Sequence, residues 1–428
     1  MEPIISKERN CIKENNFDVF SGQTKQIHVA MEQEEYERLL YDHKQFRKKL
    51  DELITKYPER FPQGIEQGYI FHDFTQESEK LPGIRCRRIE LKANGEVYSV
   101  LPYFVMPYMK GYTEDLEKPL FLRKFGVPYW GLTYCFGKND MFWYRLDVGL
   151  GRNSIVGTTI STSDKLPDHL VADEKFSWEN GEQVYCATTA ANDCLLGCHI
   201  VDKADHLGLI NAYGKFQEEA LDLDPNYCPV SVTTDGWKPL RWAWQMLFPG
   251  IQLILCFLHS FLKVRDSYYL LKEHADTICS LIWQAYRETT EASFRNQLAS
   301  LQLWACTHLA PSKALDAICK LCSKVEKFVP AFHIPGCYRT TAHLDRIMDR
   351  QDRFFYSCKY FHGHKQSSQY LVRAFALIHN FTPYSSRSTL SFISPAHRIN
   401  GFVYHQNWLK NLHISSSLGG FFQDHRKR

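Results

Sequence analysis

The stretch that decides the fold spans residues 229–266 and reads PVSVTTDGWKPLRWAWQMLFPGIQLILCFLHSFLKVRD. Apolar and polar residues alternate from Val230 to Thr234, which predicts a buried strand that ends at Asp235. A helix is predicted next, because Pro239 suits a first helical turn and apolar residues then recur at helical spacing. Ile251 to Cys256 is a second apolar strand, so the stretch predicts a β-α-β unit.

Both strands of such a unit run in the same direction, so Asp235 and the pair Cys256 and His259 should emerge at one edge of the sheet. Ligands and metals bind beyond the carboxyl ends of parallel strands. An Asp that precedes a helix also commonly caps it. The stretch alone therefore supports a ligand and a helix cap equally for Asp235.

The composition of the 428-residue chain is that of a globular protein, with 44% hydrophobic and 23% charged residues. This length predicts two or three domains. We find no apolar run that could span a bilayer and no signal-peptide pattern between Met1 and Val29. The 14 cysteines follow no regular framework. These features predict a reducing, cytoplasmic environment.

Charge is distributed unevenly along the chain. Thirteen Lys or Arg and four Asp lie between Tyr338 and Arg428, a local charge of +9, so the remaining residues carry −6 of the total of +3. Eight of the 18 histidines lie in the same segment. A basic end on a nearly neutral protein suggests a surface for a polyanion, although a solvated face has the same composition.

The first part of the chain divides into a flexible N-terminus, residues 1–30, and a helix-plus-hairpin region, residues 31–115. Apolar residues at helical spacing predict one long helix from Tyr36 to Tyr57. Asn94-Gly95 predicts a hairpin turn between two strands. The first of these strands is basic, which suits either phosphate contact or an edge strand that avoids pairing.

Residues 116–162 read as short helices separated by tight turns. This is the pattern that a helix-turn-helix requires, with a third helix from roughly Asn139 to Gly149 for the DNA major groove. A helical subdomain with no DNA contact fits the pattern equally well. The side chains that would reach phosphates or base edges are Lys138, Asn139, Arg145 and Arg152.

Residues 163–260 contain the β-rich part of the chain. Three strands in a meander, with a turn at Asn180-Gly181, precede a helix capped by Asp205 and then the β-α-β unit. This β-β-β-α-β-α-β order predicts a mixed α/β fold with a ribonuclease-H-like core. In that topology Asp173 and Asp235 face one another across adjacent strands, where a divalent cation such as Mg²⁺ would relieve their repulsion. Glu174 is the competitor for the role of Asp173.

Residues 261–337 read as an all-helical insertion into this core. Cys319 and Cys322 lie within it, and together with Cys256 and His259 they could suggest zinc. Both pairs lack the loops of zinc knuckles, so buried thiols are the better interpretation.

Residues 338–428 complete the core and form a basic C-terminal region. In the stretch from Tyr338 to Arg353, Thr340 or Thr341 could cap a helix. This helix would supply a third carboxylate from Asp345, Asp349 or Asp352, which recur on one face. Arg346 and Arg350 follow the same spacing and could hold phosphates. The alternative is an exposed helix with salt bridges between its own side chains.

Four segments carry a resemblance to DDE-type transposases of the Mutator-like clan, of the kind that bacterial insertion sequences encode. They are VADEKFSW around Asp173, VTTDGWKP around Asp235, CFLH at Cys256 to His259, and RTTAHLD ending at Asp345. The resemblance covers residues 168–420, and FGVPYWGLTYCFGKNDMFWYR resembles the family's DNA-binding region.

The resemblance implies that Asp173, Asp235 and Asp345 are catalytic and bind Mg²⁺, or alternatively Mn²⁺, while Cys256 and His259 support the active site. It also implies double-stranded DNA as the partner, namely transposon ends and target, a homodimer in the synaptic complex, and association with the nucleoid if the protein is bacterial. Relatives commonly have Glu where this chain has Asp345, and Asn where it has Ala342. Because of this difference, Asp349 and Asp352 remain alternatives. A DNA-binding protein that has lost the chemistry, and a nuclease without joining activity, are the other functional interpretations.

Overall fold

The structure is a computed structural model, and it describes residues 24–268 and 273–420. Most of the predicted flexible segment, residues 1–30, lies outside this range, as does the basic end of the chain, residues 421–428. Residues 26–29 of that segment form a strand. The fold is mixed α/β, as predicted, and contains two mixed sheets.

The smaller sheet has the order β1-β4-β3-β2. β1 runs parallel to β4, and the other pairs are antiparallel. Asn94-Gly95 makes the predicted turn between β3 and β4. The strands are β1 Gln26–Val29, β2 Tyr69–Phe74, β3 Arg87–Leu91 and β4 Val97–Pro102.

Two helices pack beside this sheet, α1 Gln33–Leu39 and α2 His43–Lys56. The prediction of one long helix was wrong. Asp42 has extended backbone, and its carboxylate accepts hydrogen bonds from the backbone N–H groups of Lys44 and Gln45 at 3.0 Å. This N-cap starts a new helix, because it satisfies donors that have no partner in a first turn.

The prediction that the basic strand β3 lies at a sheet edge was wrong. β3 lies inside the sheet rather than at its edge. The Arg87 side chain is buried over Phe71 and Phe74 and donates to the Leu40 carbonyl. Arg88 pairs with Asp73. Both arginines therefore stabilise the small sheet.

The larger sheet has the order β7-β6-β5-β8-β9. β5, β6 and β7 form an antiparallel meander, whereas β8 and β9 run parallel to β5. The central strand, β5, is longer than the predicted His169–Asp173. The strands are β5 His169–Glu179, β6 Glu182–Ala191, β7 Cys194–Val201, β8 Ser231–Thr234 and β9 Gln252–Leu255.

Local signals place the connections of this sheet. Asn180 and Gly181 both have positive φ, which matches the tight turn that their sequence predicts. Asp205 caps the following helix by accepting a hydrogen bond from Gly208 N at 2.8 Å. Gly236 also has positive φ, and a Cβ there would lie 2.4 Å from Leu255, so the chain can leave β8 in this direction only with glycine.

Helices cover both faces of the larger sheet and form the segment that follows β9. Among the described residues, no helix is both long and apolar enough to cross a membrane. The remaining helices are α3 Thr113–Arg123, α4 Tyr129–Phe136, α5 Asp140–Leu150, α6 Ile155–Thr159, α7 His206–Leu223, α8 Lys238–Leu247, α9 Phe257–Tyr268, α10 Ala275–Arg287, α11 Glu291–His308, α12 Lys313–Cys322, α13 Val325–Phe328, α14 Pro330–His333, α15 Ala342–Ser357, α16 Lys365–Phe381, α17 Pro395–Asn400 and α18 Trp408–Ser415.

Helices α3, α4 and α5 are the three short helices predicted in residues 116–162. The Arg123 guanidinium on α3 is fully buried and donates to Asp147 on α5 at 2.8 Å. The same guanidinium lies 4.5 Å from the Phe354 ring and donates to Ser357 Oγ at 3.2 Å, both on α15. The buried ion pair thus joins α3 to α5, and the further contacts of Arg123 join this three-helix region to α15.

Candidate functional site

Asp173 lies within β5, and Asp235 follows the last residue of β8, the neighbouring parallel strand. The two carboxylates therefore belong to the same part of the larger sheet. The helix-cap interpretation of Asp235 was wrong, because α8 begins at Lys238 and its N-cap residue is Trp237. The Asp235 carboxylate instead accepts a hydrogen bond from Trp237 N at 2.7 Å, two residues along the chain.

The chain returns to this edge of the sheet after the helical segment that follows β9. Phe257 N, at the start of that segment, donates to the Arg339 carbonyl at 3.0 Å, and Thr233 Oγ1 donates to the Tyr338 carbonyl. These bonds hold residues 338–341 against the ends of β8 and β9. Helix α15 starts immediately afterwards, so its first turn carries Asp345 toward Asp173.

Asp173, His259 and Asp345 form the cluster in which one ligand atom from each residue lies within 4.8 Å of the others. We call it the Asp-His-Asp cluster. Asp173 Oδ2 lies 3.8 Å from His259 Nε2, and both side chains are partly buried. Divalent cations hold oxygen and nitrogen ligands at about 2.0–2.3 Å. Two carboxylates and an imidazole at this spacing therefore fit around a single cation.

The second ring nitrogen of His259 faces Thr341, whose side chain is buried. Thr341 Oγ1 lies 3.3 Å from His259 Nδ1 and 3.5 Å from Asp345 Oδ1. It also lies 3.3 Å from Cys256 Sγ, which accepts a hydrogen bond from Thr341 N at the same distance. The Cys256 and His259 pair and Asp345 are thus connected through one threonine.

The charges of the three cluster residues affect one another's pKa values. Burial raises the pKa of Asp173 to about 6, and the charges of Asp235 and Asp345 act in the same direction. Burial also raises the pKa of Asp345. A hydrogen bond with the Cys256 sulfur raises the pKa of His259 to about 9, with Asp173 and Asp345 adding to the effect. The charge of protonated His259 lowers the pKa of both carboxyl groups, and a metal ion that binds the ring nitrogen must displace this proton.

Asp235 stands beside the cluster rather than within it. Its charge raises the pKa of both Asp173 and Glu174. The structure therefore brings Asp173 and Asp345 together as predicted, with Asp235 as an electrostatic neighbour. His259, which was predicted only to support the site, supplies the third ligand atom of the cluster.

The rival carboxylates occupy other positions. Glu174 accepts a hydrogen bond from Tyr213 on α7 at 2.7 Å, and burial raises its pKa to about 8. Asp352 lies 3.4 Å from Lys175 Nζ in an ion pair. Asp349 is exposed on α15 and affects Asp345 only through its charge. Of the three candidates on α15, Asp345 is the one that joins Asp173.

The cysteine pair on α12 takes no part in this cluster. Cys322 is buried and its thiol donates to the Leu298 carbonyl at 3.4 Å. Within the described residues, Cys319 and Cys322 form no metal-ligand group with Cys256 or His259. The prediction of a buried thiol is therefore confirmed for Cys322, whereas Cys319 is only partly buried.

The basic C-terminal segment uses several of its charges internally. Arg373 bonds to Glu219, Lys410 to Glu114 and Arg398 to Asp193. In contrast, three arginines on α15 are exposed, and within the described residues they form no ion pair. They continue along the helix from Asp345, and they are Arg346, Arg350 and Arg353.

The residues predicted to touch DNA in the three-helix region are all exposed. The predicted third helix is α5, whose other face buries Trp143, Leu146 and Leu150. Asn139 is the N-cap of α5, where its side chain accepts a hydrogen bond from Phe142 N at 2.8 Å. The remaining predicted residues are Lys138, Arg145 and Arg152.

Thr341 is the residue of the site whose role the sequence did not reveal. It was a candidate N-cap for α15, and it does occupy that position, but its side chain makes no capping hydrogen bond. The hydroxyl turns instead toward Cys256, His259 and Asp345. Two adjacent threonines before an Asp-containing helix were the available signal, and they could not show which distant groups the hydroxyl meets.

Comparison of the sequence with protein-family models gives no match, and no curated protein matches it. The functional argument therefore rests on the geometry and chemistry of the Asp-His-Asp cluster and on the surfaces around it.

Proposed function

We propose that this protein is a DNA transposase of the DDE type, which cleaves phosphodiester bonds at the ends of a mobile element and joins the freed 3′-hydroxyl to target DNA. The observation that carries the proposal is the meeting of Asp173 and Asp345 with His259, from three segments far apart in the sequence, within 4.8 Å. Asp235 adds a further negative charge beside them.

The order of the larger sheet supports a ribonuclease-H-like core for this chemistry. An antiparallel meander of three strands is followed by two strands parallel to the first, with the first strand at the centre. The sequence resemblance around Asp173, Asp235 and Asp345 points to the same family of enzymes. Asp235 follows the end of β8, and Asp173 lies just beyond the part of β5 that pairs in parallel with β8, which is where parallel sheets commonly bind ligands.

Asp173, Asp345 and His259 are the residues that would hold a divalent cation, Mg²⁺ or Mn²⁺, with Asp235 available to a second ion. A bound divalent cation supplies charge stabilisation for the attacking and leaving oxygens of a phosphodiester. His259 would use Nε2, the ring nitrogen that faces Asp173, while Thr341 fixes the ring through Nδ1. Such a hydrogen bond to the far nitrogen commonly orients a ligating histidine.

The exposed arginines of α15 would position the substrate. Arg346, Arg350 and Arg353 recur on one face of the helix that begins beside the cluster. Guanidinium groups bind phosphates with paired hydrogen bonds, so this face suits a DNA backbone that enters the site. Two element ends must be brought together for transposition, and we propose that a homodimer does this.

The deciding experiment uses oligonucleotide duplexes that carry labelled 3′ ends of the proposed element, incubated with target DNA and Mg²⁺ or Mn²⁺. Joined products are expected from the native protein. Asp235→Asn should abolish strand transfer while DNA binding persists. Cleaved products without joining would indicate a nuclease instead, and bound but unaltered DNA would indicate a DNA-binding protein without this chemistry. Loss of binding and transfer together in the variant would mean that Asp235 is structural.

A further inference from the structure

A concave surface of the helical segment after β9 is lined by four lysines. It lies between α9 and α12, has a volume of about 310 Å³, and also contains Asp316 as its one acidic residue. We call it the lysine pocket. Its basic residues are Lys263, Lys313, Lys320 and Lys324. Among the described residues, none of these four ammonium groups forms an ion pair.

The lysine pocket lies close to the candidate site, which the sequence does not show. Burial lowers the pKa of Lys324, and the charges of Lys263, Lys327 and Lys320 add to this effect. The charge of Asp235 opposes it. Ser260, which lines the pocket, follows His259 directly on α9, and Lys263 lies about one helical turn further along. The pocket therefore adjoins the first turn of α9, which carries His259 into the cluster.

Four like charges around one concavity repel one another, and an anion with several acceptor oxygens relieves this repulsion. Lysine ammonium groups bind phosphate as point charges from several directions. The pocket is small, which suits a single phosphate group rather than an extended acidic peptide. Its position next to His259 on α9 favours a phosphate that belongs to the same molecule as the one at the cluster.

We propose that the lysine pocket binds a backbone phosphate of the DNA strand on which the Asp-His-Asp cluster acts. This inference rests on the proposed function for the identity of the strand. It gives the helical segment after β9 a direct role in holding substrate.

The test measures the affinity of the full-length protein for a fluorescein-labelled DNA duplex by anisotropy over a series of salt concentrations. The variant is Lys320→Gln with Lys324→Gln. We expect its affinity to fall by about 3- to 10-fold at moderate salt, and the slope of log affinity against log salt to fall by about 1 for each phosphate that the variant no longer neutralises. Lys320→Arg with Lys324→Arg should restore most of the affinity, because the positive charges are kept.

A matched control removes two lysines from another groove of the same protein. Lys44 and Lys48 are exposed on α2 and line a surface groove that also contains Asp51 and Glu52. Lys44→Gln with Lys48→Gln should leave the salt slope unchanged. An equal reduction in slope in both variants would show that only overall charge matters, and the lysine pocket would then be no specific site.

A second measurement separates a DNA phosphate from a free one. Inorganic pyrophosphate is titrated calorimetrically into the native protein and the Lys320→Gln, Lys324→Gln variant. Pyrophosphate binding that is lost in the variant, with DNA affinity unchanged, would overturn the DNA assignment in favour of a free phosphate compound. An unchanged DNA affinity without pyrophosphate binding would also overturn it.

The cleavage assay distinguishes this inference from the proposed function. If the native protein cuts DNA and the glutamine variant binds and cuts equally well, the lysine pocket does not bind a DNA phosphate and the transposase proposal stands. If the native protein never cuts DNA but the variant loses affinity and salt slope, the pocket holds a DNA phosphate and the proposed chemistry is wrong.

Discussion

The hydroxyl of Thr341 lies 3.3 Å from Nδ1 of His259. This contact joins a residue at the start of α15 to one in the first turn of α9, which are 82 positions apart. The same hydroxyl approaches Asp345 Oδ1, so it links an imidazole and a carboxylate of the Asp-His-Asp cluster. In the tautomer with its proton on Nδ1, His259 donates to Thr341, and Nε2 is left as an acceptor facing Asp173.

Thr341→Val should weaken metal binding while the protein remains folded. Loss of a residue that orients a metal ligand typically costs about 10–100-fold in affinity. Isothermal titration with Mn²⁺ measures this change. Thr341→Ser keeps the hydroxyl and should bind Mn²⁺ like the native protein, and Thr340→Val is the neighbouring control. Native affinity in Thr341→Val would show that the hydroxyl is not needed to orient His259.

Asp345→Asn should remove metal binding and DNA cleavage, because it neutralises a carboxylate of the cluster. The matched controls are on the same helix. Asp349→Asn changes an exposed carboxylate, and Asp352→Asn removes a partner of Lys175 at 3.4 Å. Both should retain cleavage within about 10-fold, a much smaller change than loss of a metal ligand produces. The reverse order of effects would move the third acid to Asp349 or Asp352.

The buried ion pair between Arg123 and Asp147 should respond strongly to loss of one partner. Asp147→Asn leaves a buried guanidinium without its carboxylate, which typically costs about 3–5 kcal/mol of unfolding free energy. Urea unfolding at neutral pH measures the cost. The double variant Arg123→Leu, Asp147→Leu should lose less unfolding free energy than the single variants Arg123→Leu and Asp147→Leu lose together, because it leaves no buried charge unpaired. Additive losses would mean that the two groups do not interact.

Acid should destabilise the protein through its buried histidines. Burial lowers the pKa of His28 to about 4, and also lowers the pKa of His413, whose ring stacks on His28 with 4.4 Å between centroids. In the unfolded chain both histidines titrate near pKa 6.5, so below that pH the unfolded chain binds more protons than the folded protein does. The stabilisation is therefore complete above about pH 6.5 and is lost as the pH falls toward 4.

For His28 the loss reaches about 2 kcal/mol at pH 5. His413→Leu should make the unfolding free energy less dependent on pH between 7 and 5, by about the contribution of one titrating group. Denaturant unfolding at several pH values measures this change. His364 is exposed, so His364→Leu should leave the pH dependence unchanged. An unaltered pH dependence in His413→Leu would show that His413 does not contribute to the acid loss.

Much of the larger sheet follows from short-range signals. Alternating residues in β8, the turn at Asn180-Gly181 and the cap at Asp205 each depend on a few neighbouring positions, and all three predictions were confirmed. The break between α1 and α2 had a local signal too, in Asp42, but the continuous apolar face of the two helices concealed it. Arg87 was misinterpreted because a basic strand gives no indication of which aromatic rings will cover it.

The site was less predictable than the strands that hold it. Asp173 and Asp345 could be paired from topology, since the predicted strand order brings the end of β5 near the helix that follows the insertion. The contacts of Thr341 and the lysine pocket between α9 and α12 depend on how separate segments pack, and no spacing in the sequence encodes them. The entry of His259 into the cluster likewise depends on the angle at which α9 leaves the sheet.

The single bond from Phe257 N to the Arg339 carbonyl has an architectural consequence. The helical segment between these residues leaves the larger sheet and returns to it at almost the same point. The distance between its two ends therefore does not fix the length of the segment. Loop closure becomes only slowly less favourable as a loop lengthens. Insertions or deletions within this helical segment can therefore change how far it extends over a substrate, while the strand order of the larger sheet is unchanged.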